Sequence, residues 1–205
     1  MHDPTGSRQL LLLAVGVEGG LAVLAWGLGC LLDLPPLHGW RWHAPDVMLG
    51  LAASLPMLVL FLLCVRWPVG PLRRIKAFSE EIIRPLFAPC GLVELALVSG
   101  LAGLGEEMFF RGFLQALLAR WLGPWAALAT ASALFGLLHL ITPTYALLAT
   151  AMGAYLGWLW LANGNLLVVV VAHAVYDFIA LVYLVRQPSA PPRPPALEGA
   201  APLVG

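Results

Sequence analysis

An all-α fold, a polytopic bundle of about six membrane-spanning helices, is predicted by three observations. Of the 205 residues 60% are hydrophobic and only 11% charged, where water-soluble domains carry about 25% charged residues. Mean hydropathy is +0.87. The apolar residues gather in runs close to the ~20 that a helix needs to cross a bilayer, separated by proline, glycine and asparagine turns. A formal net charge of zero, with no basic or acidic tail, argues against nucleic acid as a partner. The expected location is integral and multi-pass, in the plasma membrane if the source is prokaryotic, with the lipid bilayer as the constant partner.

Residues 1–9 read as a cytoplasmic tail and 10–187 as a single transmembrane domain. Leu10 to Leu32 is the first span, closed by Asp33 and the Pro35-Pro36 pair. Arg8 precedes it, but the run is too long for a signal-peptide h-region and lacks a small-residue cleavage site, so an uncleaved span is expected. Trp40 and Trp42 in the next loop suit interfacial anchors. Asp46 to Val65 is the second span. Residues 66–89 hold Arg66, Arg73, Arg74, Lys76 and Arg84 with Glu80 and Glu81, the composition of an amphipathic segment lying at the interface.

Gly91 to Trp121 exceeds one straight crossing and is taken as one long third span, with Gly100, Gly103 and Gly105 permitting a bend. Gly123-Pro124 turns the chain into a fourth span, Trp125 to Leu140. Thr142-Pro143 has the form of a helix cap with proline at the first helical position. Tyr145 to Ala162 is the fifth span, Asn163-Gly164-Asn165 the next turn and Leu166 to Val185 the sixth, whose valines suit lipid contact. The proline-rich stretch 188–205 is expected to be disordered. Six spans put both termini on one side, with Arg8, the basic loop, Arg186 and Arg193, against Arg41 and Arg120 opposite. The positive-inside rule makes that side cytoplasmic.

Against this apolar background Gly105 to Gly112 stands out: Gly-Glu-Glu-Met-Phe-Phe-Arg-Gly. Ionisable groups inside a span cost several kcal/mol unless paired. Glu107 and Arg111 are i,i+4 neighbours and form a structural ion pair on a helix. Glu106 points about 100° away and is left for something else. At about 1.5 Å per residue, Glu106 and His139 both lie roughly 22 to 24 Å below the outer surface. His173 and Asp177, i,i+4 on the sixth span, come out at about 12 and 18 Å, within reach once helices tilt. A lone intramembrane histidine commonly satisfies an interhelical hydrogen bond. Ionisable groups from three spans at one depth are harder to explain that way and mark a site.

Glu94 reads as an interfacial carboxylate. Glu18, deep in the first span, either carries its proton or pairs with the site. Cys30, Cys64 and Cys90 have neither metal spacing nor an even count, and read as packing residues.

The chemistry available is hydrolysis: Glu106 as a general base for water, with the histidines orienting the water or stabilising an oxyanion. The set Glu106, His139 and His173 also suits a zinc ion with an open water position. His-Glu-x-x-His, Gly-x-Ser-x-Gly and Gly-x-Gly-Asp are all absent, so zincin, serine and aspartyl designs each lack a part. A non-enzymatic carrier or immunity scaffold is the competing class, but the inverted repeats expected of a carrier are not evident.

Three stretches resemble a known family, the CPBP intramembrane proteases, which include the CAAX prenyl endopeptidases and the bacteriocin-immunity (Abi) proteins. They are Glu106-Glu107-Met108-Phe109-Phe110-Arg111, Phe135-Gly136-Leu137-Leu138-His139 and His173-Ala174-Val175-Tyr176-Asp177. The likeness covers a catalytic core of about residues 91–185. It implies an endopeptidase cutting a membrane-embedded or lipidated protein near the cytoplasmic face. By that resemblance Glu106 activates water with His139, while His173 and Asp177 form the oxyanion side or complete a metal site. The third motif carries aspartate where the prenyl endopeptidases usually have asparagine. An amide donates to an oxyanion and an ionised carboxylate cannot, so Asp177 is protonated, orients His173 or binds metal.

Overall fold

The structure, a computed structural model, describes residues 4–187, and every regular element in them is helical. The proline-rich stretch 188–205 lies outside the described residues. Helix α1, Pro4–Leu31, begins before its apolar portion, Leu11–Leu31, so helix extends into the segment read as a tail. Helix α2 is Ala44–Arg66, with His43 extended ahead of it and a proline in its first turn.

The basic stretch folds as α3 (Leu72–Phe78), a π-helical turn (Ser79–Ile83) and α4 (Arg84–Phe87). It meets the following helical segment at 116°, as an interfacial helix would. That following segment is the expected long one, running from Leu92 to Leu122 as α5 (Leu92–Glu107), a π-helical stretch (Met108–Gln115) and α6 (Ala116–Leu122). Glu94 caps its start, accepting from the Gly91 backbone N–H at 2.6 Å. The backbone departs from α geometry after the glutamates, at the π stretch. Two of the three glycines before them serve close packing: a Cβ at Gly103 would sit 2.9 Å from the Ala174 nitrogen, and one at Gly105 would overlap the Glu18 carbonyl oxygen, while Gly100 faces open space.

Helix α7, Pro124–Leu138, has 15 residues, about 22 Å at 1.5 Å per residue. It ends one residue before His139, two short of the expected span. Helix α8, Pro143–Asn163, begins as its cap predicts: Thr142 is extended and its hydroxyl accepts from the Tyr145 N–H at 3.1 Å. Gly164 adopts the left-handed conformation (φ 61°) that closes this helix. Asn165 then caps α9, Leu166–Arg186, and also bonds Arg41 and Asp46, tying the α1–α2 loop to that turn. Arg120 secures the same loop through the Leu32 and Asp33 carbonyls.

Four described helices are individually long and apolar enough to cross a membrane, or up to five if the bent pair forms one span. The chain is a multi-pass integral membrane protein. A count of six needs two further segments, Leu92–Leu122 with its buried charges and the short α7.

The sixth apolar run is central, which overturns the lipid-facing reading of its valines. Val168 and Val169 are fully buried, because α9 packs along both α2 and α5. Gly50 of α2 abuts Val168 and Val171, and Gly103 of α5 abuts Val170 and Ala174. Without a hydrophobic driving force between helices in lipid, such small-residue contacts let backbones approach and gain dispersion.

Candidate active site

The close approach of α5 to α9 brings together the residues that the depth ruler separated. Glu106 Oε1 lies 3.8 Å from His139 Nε2, and Glu106 Oε2 lies 3.9 Å from His173 Nε2. Asp177 Oδ2 is 3.5 Å from the same His173 nitrogen. All four residues line one cavity of about 200 Å³, with Tyr145 and Tyr176 also in its wall. The two glutamate–histidine separations are too long for direct hydrogen bonds and suit a single bridging water.

Each histidine is held by its other ring nitrogen. His139, one residue beyond the end of α7, bonds the Phe135 carbonyl through Nδ1 at 2.8 Å. This occupies one of the carbonyls that a helix C-terminus leaves open. Its ring stacks on Phe135 with centroids 4.4 Å apart. His173 bonds Glu107 Oε1 through Nδ1 at 2.7 Å. Both Nε2 atoms are thereby turned to Glu106.

Glu107 and Arg111 form the expected pair, Nη1 to Oε1 at 2.7 Å, with the glutamate wholly buried and the arginine 1% exposed. The sequence did not reveal that Glu107 also holds His173. Arg111 donates in addition to the Gly153 carbonyl at 3.0 Å, and its guanidinium lies 4.8 Å over the Phe135 ring, a cation–π contact. Glu107 and Arg111 together thus link all three motifs. Gly153 had no signal of its own, since any helical carbonyl can accept.

Glu18 of α1 presses its backbone on Gly105 and lies within electrostatic reach of Glu106. Its Oε2 is buried without a hydrogen-bond partner among the described residues.

Zinc would require three donors on one ion. Bonds of about 2.0–2.1 Å in tetrahedral geometry place donors roughly 3.4 Å apart. Here the two histidine nitrogens face different glutamate oxygens at 3.8 and 3.9 Å, and no group of three His, Cys, Asp or Glu among the described residues has metal-binding geometry. The residues in this arrangement do not form a preset zinc site.

Residues 88–179 match the family model for the type II CAAX prenyl endopeptidase, Rce1-like. No curated protein and no solved structure matches the chain. The matched stretch contains Glu106, Glu107, Arg111, His139, His173 and Asp177, and leaves out α1 and α2.

Proposed function

We propose, from the match of residues 88–179 to the Rce1-like family model, that the chain is an intramembrane endopeptidase of the CPBP/CAAX type acting on membrane-associated or lipidated proteins. The observation that carries this reading is Glu106, whose two carboxylate oxygens each face a histidine Nε2 across one cavity.

In the proposed reaction a water lies between Glu106 and His139. Glu106 takes its proton as the oxygen attacks the peptide carbonyl carbon, and the C=O π pair moves onto oxygen. His173, as an imidazolium held by Glu107, donates from Nε2 to that oxyanion. Collapse re-forms the carbonyl and breaks the C–N bond. The leaving amine receives the proton that Glu106 took. By the positive-inside rule, the basic loop and Arg186 support a site toward the cytoplasmic face.

The test is cleavage of a farnesylated peptide ending in Cys-aliphatic-aliphatic-X and of non-prenylated membrane peptides, in liposomes. Glu106→Gln keeps the size of the side chain but cannot take a proton from water at neutral pH. It should fold normally and lose about 10²- to 10⁴-fold in rate. Wild-type turnover in that variant would refute the assignment of the base. A zinc ion held by Glu106, His139 and His173 is the rival mechanism. Under that reading chelation abolishes cleavage and added zinc restores it; under ours, cleavage is insensitive to chelator and the purified protein carries no stoichiometric metal.

A further inference from the structure

In the reaction above, the oxyanion has one donor, and that donor is shared. Asp177 Oδ2 stands 3.5 Å from His173 Nε2 and competes for its proton. As a carboxylate, Asp177 only accepts. A second donor would have to come from elsewhere on the cavity wall.

Tyr145 stands on that wall. It lies in the first turn of α8, where the Thr142 hydroxyl fixes its backbone N–H. Its ring lies 6.4 Å from that of His139, and it lines the same cavity as Glu106, His173 and Asp177. Asp177 and Glu106 are the charged groups that act on it. Its hydroxyl has no hydrogen-bond partner among the described residues, and its side chain is only partly buried, so that donor is free to meet what enters the cavity. Tyr176 shares the wall, but its ring packs edge-on against Phe61, and its charged neighbour is Asp177 rather than Glu106.

We propose that Tyr145 is a further catalytic residue, whose hydroxyl donates to the oxyanion of the tetrahedral intermediate where Asp177 cannot. The inference rests on the hydrolytic reading of the site. The phenol keeps its proton throughout, so no additional acid or base enters the reaction.

The experiment compares wild type, Glu106→Gln, Tyr145→Phe and Tyr145→Phe/Asp177→Asn on the farnesylated peptide in liposomes. Tyr145→Phe should lower kcat about 10²- to 10³-fold, the loss typical for one oxyanion donor, with KM and melting temperature unchanged. A peptidyl phosphonate, whose anionic oxygen mimics the intermediate, should bind the variant more weakly by a similar factor. Placing an amide at position 177 should return at least tenfold of the lost rate, which a purely structural role for Tyr145 would not allow. Wild-type kcat in Tyr145→Phe, with Glu106→Gln inactive, overturns this inference and leaves the proposed function standing. Turnover in Glu106→Gln overturns the underlying reading instead. Should Tyr145→Phe fold poorly, phosphonate affinity is compared between wild type and Asp177→Asn. A gain of at least tenfold upholds a donor deficit at position 177, and no gain overturns it.

Discussion

Glu106 and Glu107 are neighbours in one helix and lie in opposite kinds of surroundings. On the Glu107 side every contact is short: Arg111 and His173 at 2.7 Å, with Arg111 extended to Gly153 at 3.0 Å. On the Glu106 side the contacts to His139 and His173 are 3.8 and 3.9 Å and open onto a cavity. Ionised groups bonded this closely hold geometry, and they do so here through Glu107 Oε1 alone, since Oε2 is buried without a partner among the described residues. Those left unsaturated beside a space can exchange a proton with whatever enters. His173 belongs to both regions, fixed by one nitrogen and presented by the other.

The largest effect should come from breaking the closely bonded side. Arg111→Ala leaves Glu107 buried without its cation, at a cost of about 3 to 5 kcal/mol. Loss of expression or a collapsed melting temperature is the expected outcome, measured on detergent-purified protein. Normal yield and melting with cleavage abolished would move Arg111 from the scaffold to the chemistry.

Glu107→Gln is milder and divides the two regions more finely. The amide oxygen still accepts from Arg111 and His173, but the charge is gone, at about 1.5 to 3 kcal/mol for weakened bonds to charged groups. A misoriented His173 should also cost about 10²-fold in turnover, seen in kcat with KM little changed. A variant destabilised by that amount with unaltered kcat would show that Glu107 is structural only.

The smallest effect is expected one turn further along. Gln115 is fully buried, donates to the Gly157 carbonyl at 3.2 Å and leaves its own oxygen without a partner. Gln115→Leu removes a bond and an orphaned acceptor together, so stability should change by no more than about 1 kcal/mol. A loss several times larger, by thermal or denaturant unfolding, would mean that the closed network extends past Arg111.

Much of this was legible in the chain. The Thr142-Pro143 cap and the Asn163-Gly164-Asn165 turn announce helix ends by local chemistry alone, and i,i+4 spacing announces the Glu107–Arg111 pair. The four cavity residues were picked out by type and motif, while the depth ruler set His173 and Asp177 apart from Glu106 and His139. Features that depend on which helix lies beside which were not legible. Valines at 168 and 169 look the same to lipid and to a packed neighbour, and only the flanking glycines at 50 and 103 decide between them. The bond from Glu107 to His173 crosses 66 positions and depends on a backbone approach that no periodicity reveals. The π-helical stretch after the glutamates likewise has no local signal.

The brevity of α7 has a consequence for how water arrives. Hydrocarbon is about 30 Å thick, and 15 helical residues reach only about 22 Å. The chain at His139 to Ile141 leaves the α-helical pattern before that distance is covered, its N–H groups turning to the Gly136, Leu137 and His139 carbonyls, and irregular backbone is not tolerated against lipid tails. At that place the bilayer must dimple inward or the protein must admit solvent. Either way the aqueous boundary would come near His139, and the proposed hydrolysis would need no dedicated conduit through the bundle. The depth of the dimple depends on the lipids present, at fractions of a kcal/mol per Å of mismatch, so membrane thickness becomes a dial on how wet the site is.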